Sequence, residues 1–131
     1  MIFVHEDVLF CTPQWGRLLY DFFNDNSEAG LLGLAGSKYK SPFSPGWYSG
    51  DLECDRMRIS HMTKRGEELF EMKASDDANC SQVVVIDGVF MAVRKSIWQK
   101  IKFNEYVFKG FHFYDIDFSL RVSDVAKVYV L

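Results

Sequence analysis

An apolar run from Val83 to Val93 is interrupted once, by Asp87-Gly88. Its β-branched residues read as two strand segments, Val83 to Ile86 and Val89 to Val93. A carboxylate in such a run is costly unless it reaches solvent or a partner. Two readings stay open. Asp87-Gly88 is either the turn of a hairpin, or a carboxylate facing a ligand hydroxyl, with glycine permitting close backbone approach. A short helix over Ser96 to Ile101 follows, and then Phe111-His112-Phe113-Tyr114-Asp115-Ile116-Asp117-Phe118-Ser119-Leu120-Arg121. This motif sets two carboxylates, a histidine and an arginine where an amphipathic helix should begin. Acidic residues at a loop-to-helix junction are a usual place for a general base. Asp115 can be that base or an N-cap. Asp117 and Arg121, four apart, can pair on the helix surface. His112 can be a metal or phosphate ligand, or a structural histidine among phenylalanines.

The rest of the chain supplies a frame for these motifs. Ile2 to Val4 reads as a strand ending in His5-Glu6-Asp7. Such a strand places its acidic residues at the carboxyl edge of a sheet, where α/β folds bind ligands. Asp7 suits a hard cation such as Mg²⁺ or Mn²⁺; alternatively the triplet only caps a turn. Thr12 as cap and Pro13 in the first turn open a helix to about Asn24, with Trp15, Leu18, Leu19, Phe22 and Phe23 at helical spacing. Leu31 to Gly36 reads as a buried strand whose glycines allow close approach. Residues 37 to 50, with Pro42, Pro45, Gly46 and Gly50, form a loop. Trp47 and Tyr48 within it either cover a ligand or pin the loop to the core. Residues 51 to 63 and 67 to 73 can form a hairpin around Lys64-Arg65-Gly66. Asp76-Asp77-Ala78-Asn79 is a polar loop, and Lys127 to Leu131 a last strand. The expected architecture is α/β: a mixed β-sheet flanked by helices, in a single domain over residues 1–131.

Bulk properties narrow the function classes. The chain has 131 residues, 48% hydrophobic and 25% charged, which suits one globular domain. A net charge of −3 without a long basic run argues against nucleic acid as partner. Cys11, Cys54 and Cys80 form no C-x-x-C pair and read as free thiols of a reducing, cytoplasmic compartment. The start lacks the basic segment of a signal peptide. No apolar run approaches the ~18 residues of a membrane span, while peripheral membrane contact stays open. There is no Gly-rich phosphate loop, no Gly-x-Ser-x-Gly elbow and no His-Glu-x-x-His. Cys11 has no base beside it in sequence.

The order of these motifs carries a resemblance. A strand ending in a D-x-D-like triplet comes first, and an apolar strand with Gly33-Leu34-Ala35-Gly36 next. Asp87-Gly88-Val89-Phe90-Met91-Ala92-Val93-Arg94 follows, then Phe103-Asn104-Glu105 and the 111–121 motif. The chain resembles the second half of a family 2-type glycosyltransferase of GT-A fold, of the glycosyltransferase-like branch whose metal motif reads His-x-Asp. The resemblance implies a nucleotide-sugar donor, a saccharide or other hydroxyl acceptor, and Mn²⁺ or Mg²⁺. It implies that Asp115 is the base of an inverting transfer, with Asp117 and Arg121 as its supporting neighbours. Asp87 and Gly88 would lie near the acceptor, with the Trp47 and Tyr48 loop. Asp7 and His5, joined by His112, would face the metal. Three positions depart from the pattern: His5 stands for an Asp, Tyr114 for a Glu and Asn104 for an Asp.

The resemblance also implies that the family's nucleotide-binding half would precede Met1. The chain is then a truncated domain with an open sheet edge, which predicts self-association and impaired turnover. The alternative function is a non-catalytic carbohydrate- or partner-binding module. A third class is a metal-dependent hydrolase built on His5, Asp7, Asp115 and Asp117.

Overall fold

The computed structural model describes residues 1–62, 69–71 and 80–131. Its elements are β1 (Ile2–Val4), α1 (Trp15–Asp25), β2 (Ala29–Gly33), β3 (Ala35–Ser37), β4 (Asp55–Met57), β5 (Ser60–Met62), β6 (Leu69–Glu71), β7 (Ser81–Val83), β8 (Val85–Ile86), β9 (Phe90–Val93), α2 (Lys95–Lys100), α3 (Tyr114–Ser123) and β10 (Lys127–Val130). The main sheet has the order β1-β9-β2-β10-β7. Strands β2 and β10 are parallel and the other neighbours antiparallel. This is the mixed α/β sheet flanked by helices that the patterning predicts.

Strand alternation assigns each face its helices. Leu31, Met91, Val93, Val128 and Val130 point to one side, where Phe118 and Val122 of α3 and Trp98 of α2 pack on them. Leu32, Phe90, Ala92 and Tyr129 point to the other, against Leu19 and Phe22 of α1. Each fully buried aliphatic or aromatic side chain contributes roughly 1.5–3 kcal/mol. At the edge of the sheet, β1 leaves Ile2 and Val4 exposed.

A smaller antiparallel sheet has the order β4-β3-β8. The chain passes from the large sheet to the small one at Leu34, between β2 and β3, and again at Val84, between β7 and β8. The single strand expected over Leu31 to Gly36 is therefore two strands in two sheets. Residues 87–89 return the chain to the large sheet. Asp87-Gly88 is consequently no hairpin turn: β8 pairs with β3, while β9 pairs with β1 and β2.

Glycines let β8 approach β2 of the large sheet and β3 of its own. A Cβ on Gly33 would lie 2.8 Å from Cβ of Ile86, and one on Gly36 would overlap the Val85 carbonyl oxygen. The expected close approach at these positions is present.

Helix α1 starts at Trp15, after Gln14 in the left-handed region (φ 56°) and without a side-chain cap, so Thr12 does not cap it. Its far end is clamped by Arg94. That guanidinium donates to the carbonyls of Ala29 (2.9 Å), Phe23 (2.7 Å) and Asn26 (3.0 Å). It also lies over the Phe23 ring. Strands β5 and β6 pair antiparallel, as the expected hairpin requires. Its turn at Lys64-Arg65-Gly66 and the Asp76–Asn79 loop lie outside the described residues. Cys11, Cys54 and Cys80 are free thiols. Among the described residues no helix is long and apolar enough to cross a membrane.

Gly36→Ala sets a methyl against a strand carbonyl, which no rotamer change relieves. It should destabilise the fold by about 1–3 kcal/mol, read as a lowered urea midpoint with unchanged slope. An unaltered midpoint would show that β3 and β8 do not approach this closely.

Candidate active site

Four elements converge on the Asp87-Gly88 segment. Because β1 runs antiparallel to β9, the residue after β1 meets the residue before β9: the His5 N–H donates to the Val89 carbonyl at 3.0 Å. From the small sheet, the Ala35 carbonyl accepts the Asp87 N–H at 2.9 Å. Helix α3 closes the group. The buried Ser119 hydroxyl accepts from the Ile86 N–H at 3.2 Å and donates to the Asp115 carbonyl at 2.6 Å.

This arrangement delivers the Asp115 side chain to the crossing. Its Oδ2 accepts the Gly88 N–H at 2.9 Å, and its Oδ1 accepts the Ile116 N–H at 2.9 Å. Burial pushes the carboxyl above its ordinary value. The two backbone N–H groups pull it down, and the nearby Asp87 charge raises it again; the net direction is upward. A raised, half-buried carboxyl with fixed direction is suited to accept a proton from a bound hydroxyl. Asp87 turns its own Oδ1 back to the Val89 N–H at 2.8 Å.

Asp115 lies in the first turn of α3 and is not its N-cap. That position is Phe113, a non-glycine residue at φ 70° whose carbonyl accepts the Asp117 N–H. Left-handed backbone at a bulky residue costs on the order of 1–2 kcal/mol. It turns the chain sharply just before Asp115.

Tyr114 and Ser119 belong to the group although neither stands out as a site residue in the sequence. The available signals were a tyrosine where the family pattern has an acid, and a serine beside Phe118 on the apolar face, four residues after Asp115. The Tyr114 hydroxyl is 3.3 Å from Nε2 of His5. Its ring rests on Gly88, where an added Cβ would overlap the phenolic oxygen and lie 2.8 Å from Cζ. Burial, then the charges of Asp115 and Asp87, raise the phenol above its usual value. It therefore stays neutral, a phenol that can donate or accept.

The remaining candidates are placed as follows. Asp117 and Arg121 form the expected i,i+4 pair, with Nε donating at 2.9 Å, and Arg121 also donates to the Lys102 carbonyl. They brace the loop before α3. His112 is exposed, its ring between those of Phe111 and Phe113. Asp7 is exposed in the turn after β1. Among the described residues no three His, Cys, Asp or Glu side chains group to hold a metal ion. The loop carrying Trp47 and Tyr48 leaves β3 at Ser37, the end paired with Val85 and away from Asp87. The two rings meet edge to face, 5.7 Å apart. The loop folds on the buried Asp55, whose carboxylate accepts from the Ser49 N–H and hydroxyl and the Gly50 N–H.

A family model described as a glycosyltransferase-like family matches residues 1–131. The chain belongs to that family. Searches of curated proteins and of solved structures returned no match. Membership in the glycosyltransferase-like family supports a glycosyltransferase-related function. It implies, in general terms, a nucleotide-sugar and an acceptor as partners.

The raised carboxyl of Asp115 carries a pH signature. Its contribution to stability is full below the unfolded-state value and is lost as pH rises through the higher folded-state value. The stability of the wild type relative to Asp115→Asn should therefore fall as pH rises above the ordinary aspartate value of about 3.9, measured by urea titrations of both proteins. A difference that stays flat or rises with pH contradicts the burial-driven shift.

Proposed function

We propose that this domain transfers a sugar from a nucleotide-sugar donor to an acceptor hydroxyl, with inversion and with Asp115 as general base. The observation that carries this reading is the Asp115 carboxylate, half-buried, raised and aimed by the N–H groups of Gly88 and Ile116. In the reaction, Asp115 takes the proton of the acceptor hydroxyl. The acceptor oxygen bonds to the anomeric carbon, and the bond from that carbon to the diphosphate oxygen breaks with its electron pair going to the leaving group. Asp87, beside Asp115, orients the acceptor hydroxyl.

A divalent cation fits the donor side of this reading. The exposed Asp7 follows β1 at the same end of the sheet as Asp87, and Mg²⁺ or Mn²⁺ held together with a diphosphate needs only one or two protein carboxylates. When bound, such an ion neutralises the departing nucleoside diphosphate.

Asp115→Asn should keep the fold and lower transfer by about 10²–10⁴-fold, the usual worth of a positioned base. The wild-type rate should fall on acidification with a midpoint above the ordinary aspartate value of about 3.9. Product formation from a panel of nucleotide sugars measures both, and retained transfer in Asp115→Asn removes the base assignment.

A second reading, a binding module without chemistry, draws on the 38–54 loop. Phe43 is 95% exposed and Tyr48 43% exposed beside Trp47, as on an aromatic sugar platform. Calorimetry separates the two. Nucleoside diphosphate binding that requires Mn²⁺ favours the transferase. Binding of sugar alone, lost in Trp47→Ala, favours the module.

A further inference from the structure

The N-cap of α3 makes no side-chain hydrogen bond, and within the helix only the Ile116 N–H holds the Asp115 carboxylate, so two contacts from outside the helix complete its direction. One is the Gly88 N–H. The other acts through the neighbouring residue. Tyr114 is boxed on every side for which a contact is seen. Gly88 lies beneath it, the Phe103 ring stands edge-on at 5.3 Å, and the Phe111 ring is at 6.2 Å. Nε2 of His5 lies at its hydroxyl. His5 is itself held, by its N–H on the Val89 carbonyl and by its ring 5.3 Å from Phe111. The hydrogen bond between Tyr114 and His5 thus ties the start of α3 to the end of β1, residues 109 positions apart.

We propose that Tyr114, held by His5, is the positioning residue that keeps the Asp115 carboxylate on Gly88, and that His5 serves this pair and not a metal ion. The inference rests on the reading of Asp115 as base, but its geometry is independent of any substrate. Tyr114 and Asp115 are adjacent, so a displaced phenol turns the first helical turn and draws the carboxylate from the Gly88 N–H. Gly88 has no side chain because the phenol occupies that space. The neutral phenol and Nε2 share one hydrogen bond, whose direction follows the His5 tautomer. With Nε2 so engaged, the imidazole is a strut.

The test uses isotope-labelled full-length protein without donor or acceptor. Two signals report the site: the hydrogen-exchange rate of the Gly88 amide and the carbon shift of the Asp115 carboxyl. Tyr114→Phe keeps the ring and removes the hydroxyl; His5→Ala removes its partner. Gly88 exchange should rise about fivefold in each, the size of one net hydrogen bond, and the carboxyl shift should move. His5→Gln, which offers the phenol another polar partner, should restore both signals. The Leu31 and Val128 amides should stay protected throughout. Unchanged Gly88 exchange in Tyr114→Phe overturns the proposal, as does failure of His5→Gln to rescue. Loss of protection at Leu31 and Val128 together with Gly88 would reduce the pair to a general folding role and also overturns it. Finally, paramagnetic relaxation by Mn²⁺ alone should be the same in His5→Ala as in wild type, and its disappearance would return His5 to the metal. If the wild type transfers no sugar, the functional reading fails while these signals still decide the role of Tyr114.

Discussion

The hydrogen bond from the Gly88 N–H to the Asp115 carboxylate is the contact on which the candidate site depends. It joins a backbone crossing between two sheets to the first turn of a helix 27 residues later. Hydrogen bonds to a charged acceptor are worth about 1.5–3 kcal/mol, more than most single contacts near a protein surface. Here two such bonds oppose burial and the neighbouring Asp87, and burial prevails. The carboxylate is therefore held firmly but kept reluctant to ionise, a combination that favours proton uptake over permanent charge.

The surrounding framework makes that contact inevitable. Glycines at 33 and 36 bring β8 against β2 and β3, and Ser119 hangs α3 on the backbone of Ile86. On the far side of the sheet, Arg94 gathers the carboxyl end of α1 to the start of β2. An arginine that the resemblance includes in its motif thus acts as a helix clamp, remote from the reacting atoms. The paired Asp117 and Arg121 tie α3 to the Lys102 carbonyl.

Much of the frame was legible because it rests on local periodicity. The alternation along Phe90–Val93 and Lys127–Val130, and the apolar spacing of Leu19 and Phe22, each specify a face without knowledge of the partner. Asp117 and Arg121 were legible for the same reason, being one helical turn apart. The Asp87-Gly88 crossing resembles a hairpin turn in sequence because strand pairing is non-local. Two short strands around Asp-Gly look like a hairpin until β3, β1 and β2 claim them. Left-handed backbone at Gln14 and Phe113 leaves no mark in residue type, since neither side chain favours it. The contact of His5 with Tyr114 could not be foreseen, because it spans nearly the whole chain and needs both sheet edge and helix in place.

The crossing has one more consequence. Residues 87–89 set the register in which β9 enters the large sheet, so the length of this segment and the sorting of its side chains are a single quantity. One residue added between Gly88 and Phe90 would exchange Met91 and Val93 with Phe90 and Ala92 across the sheet. The α3 layer would then face residues shaped for the α1 layer. A lineage carrying this fold could vary the loops at either end of the small sheet freely, yet could not lengthen the three residues that carry the carboxylate without rewriting both halves of its core.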